Sequence, residues 1–292
     1  MHLYRLLSFV WNHPLNAGGR IAAVLRVIRW QLASRLLPGP IALQYVEQTQ
    51  LFATLGMTGA TGNWYCGLHE VREMAFLLHV LREDDHFLDV GANIGSYTIL
   101  AGGGVGARVT AVEPIPETFA HLERNVVLNR LSTQVRTCRL GLSDQTSVLR
   151  FTTGLDCVNH VIAEGENVPG IDVPVMRLDE LVGQDVPLLV KIDVEGHERS
   201  VLLGGERTLS DTRLLAVIME TNGSGAHYGH SDEELMNIMR GHGFAPFGYD
   251  PFTRKLTGAQ QTDGNTIFVR DWAAIEDRVA HARHYQLING QI

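Results

Sequence analysis

Phe87-Leu88-Asp89-Val90-Gly91-Ala92-Asn93-Ile94-Gly95 is an apolar run that halts at a glycine and gives way to a helical pattern from Ser96. Strand, glycine turn and helix are the order this implies. The alternation continues on both sides. A helix is expected over residues 69–83, strands over 109–112 and 135–140, and between them a helix over 116–129 with Pro116 in its first turn. Residues 188–192, apolar but for Lys191, and 214–219 are continuous runs as in strands covered on both faces, and helices follow them at 198–209 and 232–242. A late strand is expected at 266–269. Strands and helices alternating at this spacing specify an α/β domain of Rossmann-like type, with a mostly parallel sheet.

In such a sheet a ligand sits beyond the carboxyl ends of the strands, where strand order reverses. Gly91 and Gly95 follow the first strand, where a missing side chain lets the backbone turn sharply and approach a ligand. Glu113 ends the second strand, where a carboxylate can accept hydrogen bonds from both hydroxyls of a ribose. A dinucleotide site would carry glycine where Asn93 and Ser96 stand, so that a pyrophosphate could lie on the helix N-terminus. Asp89-x-Gly91-x-x-x-Gly95 therefore suits an adenosine cofactor without phosphates. The plainer reading, glycines serving only a tight turn, leaves Glu113 unexplained.

At this point the sequence resembles the FkbM-type methyltransferases. The resemblance rests on residues 87–95, on Val112-Glu113-Pro114 with Asn125 and Asn129 downstream, on Gly141-Leu142-Ser143-Asp144, and on Lys191-Ile192-Asp193-Val194-Glu195-Gly196-His197-Glu198. It covers roughly residues 69–225, and the last segment is its most family-specific part. The resemblance implies the class I methyltransferase fold, with a mostly parallel seven-stranded sheet and helices on both faces. It implies S-adenosylmethionine as cofactor, held by Asp89, Gly91, Asn93, Gly95 and Glu113, with Ser143 and Asp144 near the adenine. It also implies transfer to a hydroxyl, of the kind found on sugars, glycans or glycolipids.

A hydroxyl must lose its proton during such a transfer, so a base within hydrogen-bond reach is expected. Asp193 ends a strand, and Glu195 and His197 follow on the turn. All three are candidate catalytic residues. His197 at a helix start is kept neutral and able to accept a proton, while the plainer reading has Glu195 and His197 only capping that helix. Glu220, with Asn222 and His227 behind it, ends the next strand and could join Asp193 and Glu195 around a divalent cation. A metal is not expected, because acidic strand ends are common without one. Asn159 and His160 lie in a polar segment, read as a solvated loop.

The remaining features bound the partners. Of the 292 residues, 45 % are hydrophobic and 19 % charged, ordinary for a globular protein. The formal net charge of -8 argues against nucleic acid, whose phosphates need surplus Lys and Arg. Cys66, Cys138 and Cys157 are odd in number and widely spaced, which suggests neither a disulfide framework nor a zinc motif and points to a reducing cytoplasm. No cleavage pattern follows Arg5, so a signal peptide is not expected. The first 46 residues carry five arginines and no Asp or Glu. Residues 1–68 are thus read as a basic extension and lead-in, and 69–292 as the catalytic domain. In the extension, residues 21–37 form an amphipathic helix that either lies on an anionic membrane surface or caps the domain or a dimer. Residues 41–68 read as irregular. Two further readings of the whole stay open, a noncatalytic cofactor-binding module and a nicotinamide-dependent oxidoreductase. The acceptor and the oligomeric state are not legible.

Overall fold

The computed structural model describes residues 2–154, 159–163, 165–258 and 264–292. Cys157 lies outside them. In chain order the elements begin with α1 (His2–Asn12), α2 (Arg20–Leu36), β1 (Ile41–Gln44), β2 (Gln50–Ala53), α3 (Thr58–Cys66) and α4 (Val71–Val80). The motif follows as β3 (His86–Val90) and α5 (Ser96–Ile99), then β4 (Arg108–Val112), α6 (Pro116–Leu128) and β5 (Val135–Cys138). Next come β6 (Gly141–Ser143), β7 (Ser147–Thr152), β8 (Gly170–Arg177), α7 (Leu178–Val182), β9 (Leu189–Ile192), α8 (Glu198–Gly204), α9 (Glu206–Ser210) and β10 (Ala216–Glu220). The chain closes with α10 (Asp232–Gly241), β11 (Ala245–Asp250), β12 (Lys255–Gly258), β13 (Asn265–Val269), α11 (Trp272–Ala280), β14 (Gln286–Leu287) and β15 (Gly290–Gln291).

The main sheet has the order β12-β11-β13-β10-β9-β3-β4-β5. From β5 to β10 every neighbouring pair is parallel, and β13 then runs antiparallel between β10 and β11. The sheet is mostly parallel as expected, but it holds eight strands rather than seven, because β12 folds back on β11 as an antiparallel edge hairpin. Strand order reverses between β3 and β9: the chain leaves β3 toward β4 and β5, then returns to β9 on the other side. That reversal places the crevice where the motif predicts it.

Helices cover both faces. One core layer joins Phe76 and Leu77 of α4, Leu122 of α6 and Ile275 of α11 to the sheet. The other joins Leu202 of α8 and Leu235 and Met239 of α10. Among the described residues no helix is long and apolar enough to cross a membrane.

Three local differences from the sequence reading have physical reasons. Residues 41–68 are not irregular: β1 and β2 pair antiparallel and α3 follows. Four-residue strands give too few alternations to be read as a period, and α3, rich in Gly and Thr, has poor intrinsic propensity. The helix expected over 198–209 is two short helices parted at Gly204 and Gly205, where it crosses close to the backbone of Ser143. A separate three-stranded sheet, β6-β8-β7, was not anticipated. The core is also continuous across residue 68, with Val10, Ala23, Trp30, Leu43 and Leu51 in the same cluster as Phe87 and Ile99.

Candidate active site

A crevice of about 270 Å³ opens at the carboxyl ends of β3, β4, β9 and β10. Gly91 takes φ +76, and a Cβ there would fall inside the van der Waals envelope of the Asp193 carbonyl oxygen. The glycine is thus demanded first by the close approach of the ends of β3 and β9. Gly95 takes φ +93, and a Cβ there would stand 2.7 Å from Leu122 Cδ1 of α6. Asn93 between them has φ 51, a region Asn tolerates better than most residues.

This turn is tied to the end of β4 by Glu113. Its carboxylate is buried, and it accepts hydrogen bonds from the Asn93 amide (2.9 Å) and the Ile115 amide (2.9 Å). Burial outweighs those bonds and pushes the carboxyl up to about 7. Each oxygen keeps a further lone pair. Asp89, 1 % exposed, accepts from Thr98 Oγ1 (2.6 Å) through Oδ2, and its buried Oδ1 has no protein partner. Burial raises its pKa as well. A crevice lined by a doubly braced acidic strand end and an orphaned buried carboxylate oxygen fits a ligand with both hydroxyl and cationic groups, as S-adenosylmethionine has.

The second cluster grows from β9 and β10. Lys191, inside the apolar run, is buried and places Nζ 2.6 Å from Asp193 Oδ2 and 4.7 Å from the Tyr97 ring centroid. Burial opposes its charge, but Asp193, Asp89 and Glu70 outweigh this and hold the ammonium above the usual lysine value. Glu195 sits at φ 53 on the turn, and burial together with the Asp193 charge pushes its carboxyl up to about 7. Glu220 is driven higher by burial and by Asp193, Glu195 and Glu198. One carboxylate oxygen from each of Asp193, Glu195 and Glu220 lies within 4.8 Å of the others. Glu198 serves the turn itself, accepting from the Val194 and Gly196 amides.

The structure does not bring His197 to Asp193. His197 Nε2 lies 3.1 Å from Ser143 Oγ, and Ser143 Oγ in turn donates to Asp144 Oδ1 at 3.0 Å. Burial lowers the imidazole to about 4. Gly141 and Leu142 line the crevice on this side, with Ser143 and Asp144 behind them and His197 reaching the wall. Asn159 also lines the crevice, while His160 and His227 flank Glu166 at 3.2 Å each.

Several site residues were missed or given no role. Glu70 accepts from Tyr97 Oη (2.6 Å) and from Asn265 Nδ2 (3.0 Å), closing one wall. Lys191 was quoted but left without a function. A lysine inside a strand buried on both faces is itself a signal, since such a charge requires a partner. Asn125 donates to the Ile94 carbonyl (2.8 Å) and accepts from the Phe52 amide (2.8 Å), and Asn129 pairs with Gln50 in the same way. Asn125 therefore ties the Ile94 turn to the β1–β2 hairpin, and Asn129 braces the hairpin at Gln50.

A Rossmann-like sheet with this crevice, its acidic strand end and its Asp89-x-Gly91-x-x-x-Gly95 turn fits the class of S-adenosylmethionine-dependent methyltransferases. The methyltransferase FkbM domain model matches residues 89–246, more than half of the chain, and the chain belongs to that family. Among curated proteins it is 34 % identical over 147 residues to hexuronic acid methyltransferase AglP of Haloferax volcanii, covering 48 % of this chain and 58 % of that one. It is 31 % identical over 202 residues to 31-O-demethyl-FK506 methyltransferase FkbM of Streptomyces tacrolimicus, covering 56 % and 74 %. The chain thus spans less than two thirds of the length of the first of these relatives. A similar solved structure is precorrin-6y C5,15-methyltransferase from Geobacter metallireducens GS-15, with TM-score 0.41 and 14 % identity, covering 69 % of this chain and 87 % of that chain.

Proposed function

We propose that this protein transfers the methyl group of S-adenosylmethionine to a hydroxyl of a sugar or sugar-bearing acceptor, with Asp193 and Glu195 at the reacting end. The observation that carries the proposal is the group of three carboxylates, Asp193, Glu195 and Glu220, on the rim beside the cofactor turn. A polyol presents several hydroxyl donors, and a rim of three carboxyl groups offers oxygens to accept them.

Bound there, the cofactor supplies an electrophilic methyl group with an excellent leaving group, so positioning carries much of the acceleration. Asp89, Asn93 and Glu113 hold its polar groups. Glu195, titrating at about 7, is matched to take the hydroxyl proton near neutral pH, whereas His197 at about 4 is a weaker base. We assign His197 the task of positioning Ser143 and Asp144 behind the crevice wall. Asp193, charged against Lys191, orients the acceptor. Because the Lys191 ammonium already supplies a counter-charge, the scheme needs no divalent ion. The acidic rim and the net charge of -8 disfavour a nucleic-acid acceptor. The name of the AglP relative supports a sugar, and the free, buried Cys66 and Cys138 are compatible with a reducing cytoplasm.

The test is transfer of labelled methyl from S-adenosylmethionine to hexuronic acid glycosides and neutral glycosides, with the product located by NMR. A methyl ether is expected. A methyl ester, or transfer to none of these acceptors, overturns the proposal. Cofactor binding without transfer to any acceptor favours the noncatalytic module.

A further inference from the structure

Helix α2 is apolar on two opposite sides. Ala23, Val27 and Trp30 are buried against the body of the protein, while Ile21, Leu25, Ile28, Leu32 and Leu36 are exposed, with Ile21 at 73 % and Leu36 at 77 %. At 100° per residue the exposed five fall in a stripe about 80° wide. Arg29 and Arg35, both exposed, border it on either side. Helix α1 carries exposed Tyr4 and Trp11 about 20° apart on one of its sides, and the Arg20 guanidinium at the start of α2 lies 5.7 Å from the Trp11 ring centroid. An exposed apolar stripe of this length on α2 marks a docking surface.

Charge decides what docks. The patch lies in a segment with five arginines and no acidic residue, although the chain as a whole is at -8. A symmetric pairing of two copies through this face would set Arg29 and Arg35 against each other with no Asp or Glu in the first 46 residues to offset them. An anionic lipid surface meets both the apolar stripe and its basic borders, and Tyr and Trp at the edge suit the headgroup level. We propose that the exposed face of α1 and α2 docks the protein on an anionic phospholipid surface.

The pair is firmly attached to the catalytic crevice. Arg26, buried on the inner side of α2, donates to the Tyr65 carbonyl of α3 (2.8 Å) and to Asn16 Oδ1 (2.9 Å). Helix α3 in turn lines the crevice with Thr58, Gly59 and Asn63. Docking through α2 therefore holds that wall about one helix diameter, roughly 10 Å, from the lipid. Resting on the proposed sugar O-methyl transfer, this makes the acceptor a glycan carried at a membrane surface.

The experiment is flotation of the full chain with phosphatidylglycerol-containing vesicles and with pure phosphatidylcholine vesicles, at low and high salt. Flotation with the anionic vesicles at low salt, weakened by salt, is expected. Arg29→Gln with Arg35→Gln should lower vesicle affinity about fivefold per arginine, and Leu25→Glu with Leu32→Glu should abolish flotation while leaving S-adenosylmethionine affinity unchanged by calorimetry. Failure of the wild type to float overturns the proposal, as does undiminished flotation of the Leu25→Glu, Leu32→Glu variant. If the wild type does not float and sedimentation velocity shows an oligomer that this variant dissolves, the face is a contact between copies. Methyl transfer to a soluble glycoside without flotation refutes the docking alone, and flotation without methyl transfer refutes the proposed activity alone.

Discussion

Lys191 and Asp193 form an ion pair of 2.6 Å in which the lysine side chain is 4 % exposed and the aspartate 28 % exposed, so one partner belongs to the core and the other to the rim. Removing the outer partner leaves a buried ammonium with less compensation, which costs about 3–5 kcal/mol when such a pair is broken outright. Asp193→Asn should therefore lower both the unfolding midpoint and turnover. Thermal unfolding in parallel with kinetics checks this, and an unchanged midpoint would show that Asp89 and Glu70 are sufficient counter-charge.

Glu195 is the cleaner probe of the chemistry. Glu195→Gln should retain cofactor affinity while kcat falls by roughly 10² to 10⁴, the usual contribution of a positioned base. Wild-type kcat should rise as pH passes through about 7, because the raised carboxyl must ionise to accept the proton. His197→Ala should cost less and leave that pH profile in place. If instead His197→Ala removes the profile, the imidazole is the base. Dialysis against a chelator should not change turnover; a loss restored by a divalent ion would put a metal among the three carboxylates.

Glu113→Gln replaces one accepting oxygen with a donor at the proposed ribose position, beside the Asn93 and Ile115 amides. Loss of one charge-assisted bond, about 1.5 to 3 kcal/mol, should weaken S-adenosylmethionine binding about tenfold or more by calorimetry. Because the same carboxylate braces the Asn93 and Ile115 amides, some stability should be lost too. Wild-type affinity in the variant would refute the ribose assignment.

Gly91 and Gly223 both have positive φ, +76 and +82, but only Gly91 faces backbone; a Cβ on Gly223 would meet nothing within 4 Å. Gly223→Ala should cost about 1–2 kcal/mol of left-handed strain. Gly91→Ala adds overpacking to strain, for a total of about 2–6 kcal/mol. Chemical denaturation of both variants checks the difference, and equal losses would show that the β3 and β9 ends can part freely.

Ligand-free stability should decline as pH rises from 6.5. Burial raises Glu113, Glu195 and Glu198 from 4.5 to about 7, so their protonated folded forms contribute stability below 4.5 that is lost as pH climbs through 7. Buried histidines act oppositely: His79 and His197, lowered from 6.5 to about 3 and about 4, contribute stability that grows with pH but is complete by 6.5. Above that point the carboxyls alone set the slope. Urea midpoints measured across this range decide it, and a rising midpoint would mean that the site carboxyls ionise without penalty.

Legibility followed how local each signal is. The strands β3, β4, β9 and β10 could be read because each is a short, mostly apolar run whose end is marked by Gly91, Glu113, Asp193 or Glu220. The crevice followed from strand order. What escaped depends on contacts distant in sequence: β1 and β2 owe their place to Asn125 and Asn129, some 73 to 79 residues away. His197 and Asp193 are close in sequence, yet the turn at Glu195 and Gly196, both at positive φ, sends one to Ser143 and leaves the other with Lys191. Neither choice has a periodicity. The stripe on α2 was visible, but that its reverse side would also be apolar and buried emerges only when Trp30 and Val27 are seen in the core.

The side chain of Asn125 divides its amide between two structures, the Ile94 carbonyl of the cofactor turn and the Phe52 amide of the hairpin. The two ends of that group cannot tighten independently. If an ordered hairpin favours a ligand at the Ile94 turn, then by reciprocity the ligand favours the ordered hairpin by the same free energy. We therefore expect S-adenosylmethionine to slow hydrogen exchange at the Phe52 amide although Phe52 does not line the crevice, and Asn125→Ala to abolish that protection. Exchange at Phe52 that ignores the cofactor would mean that the amide only supports its neighbours and transmits nothing. If protection is seen, a segment that reads in sequence as a mere preface is an occupancy sensor for the site it precedes.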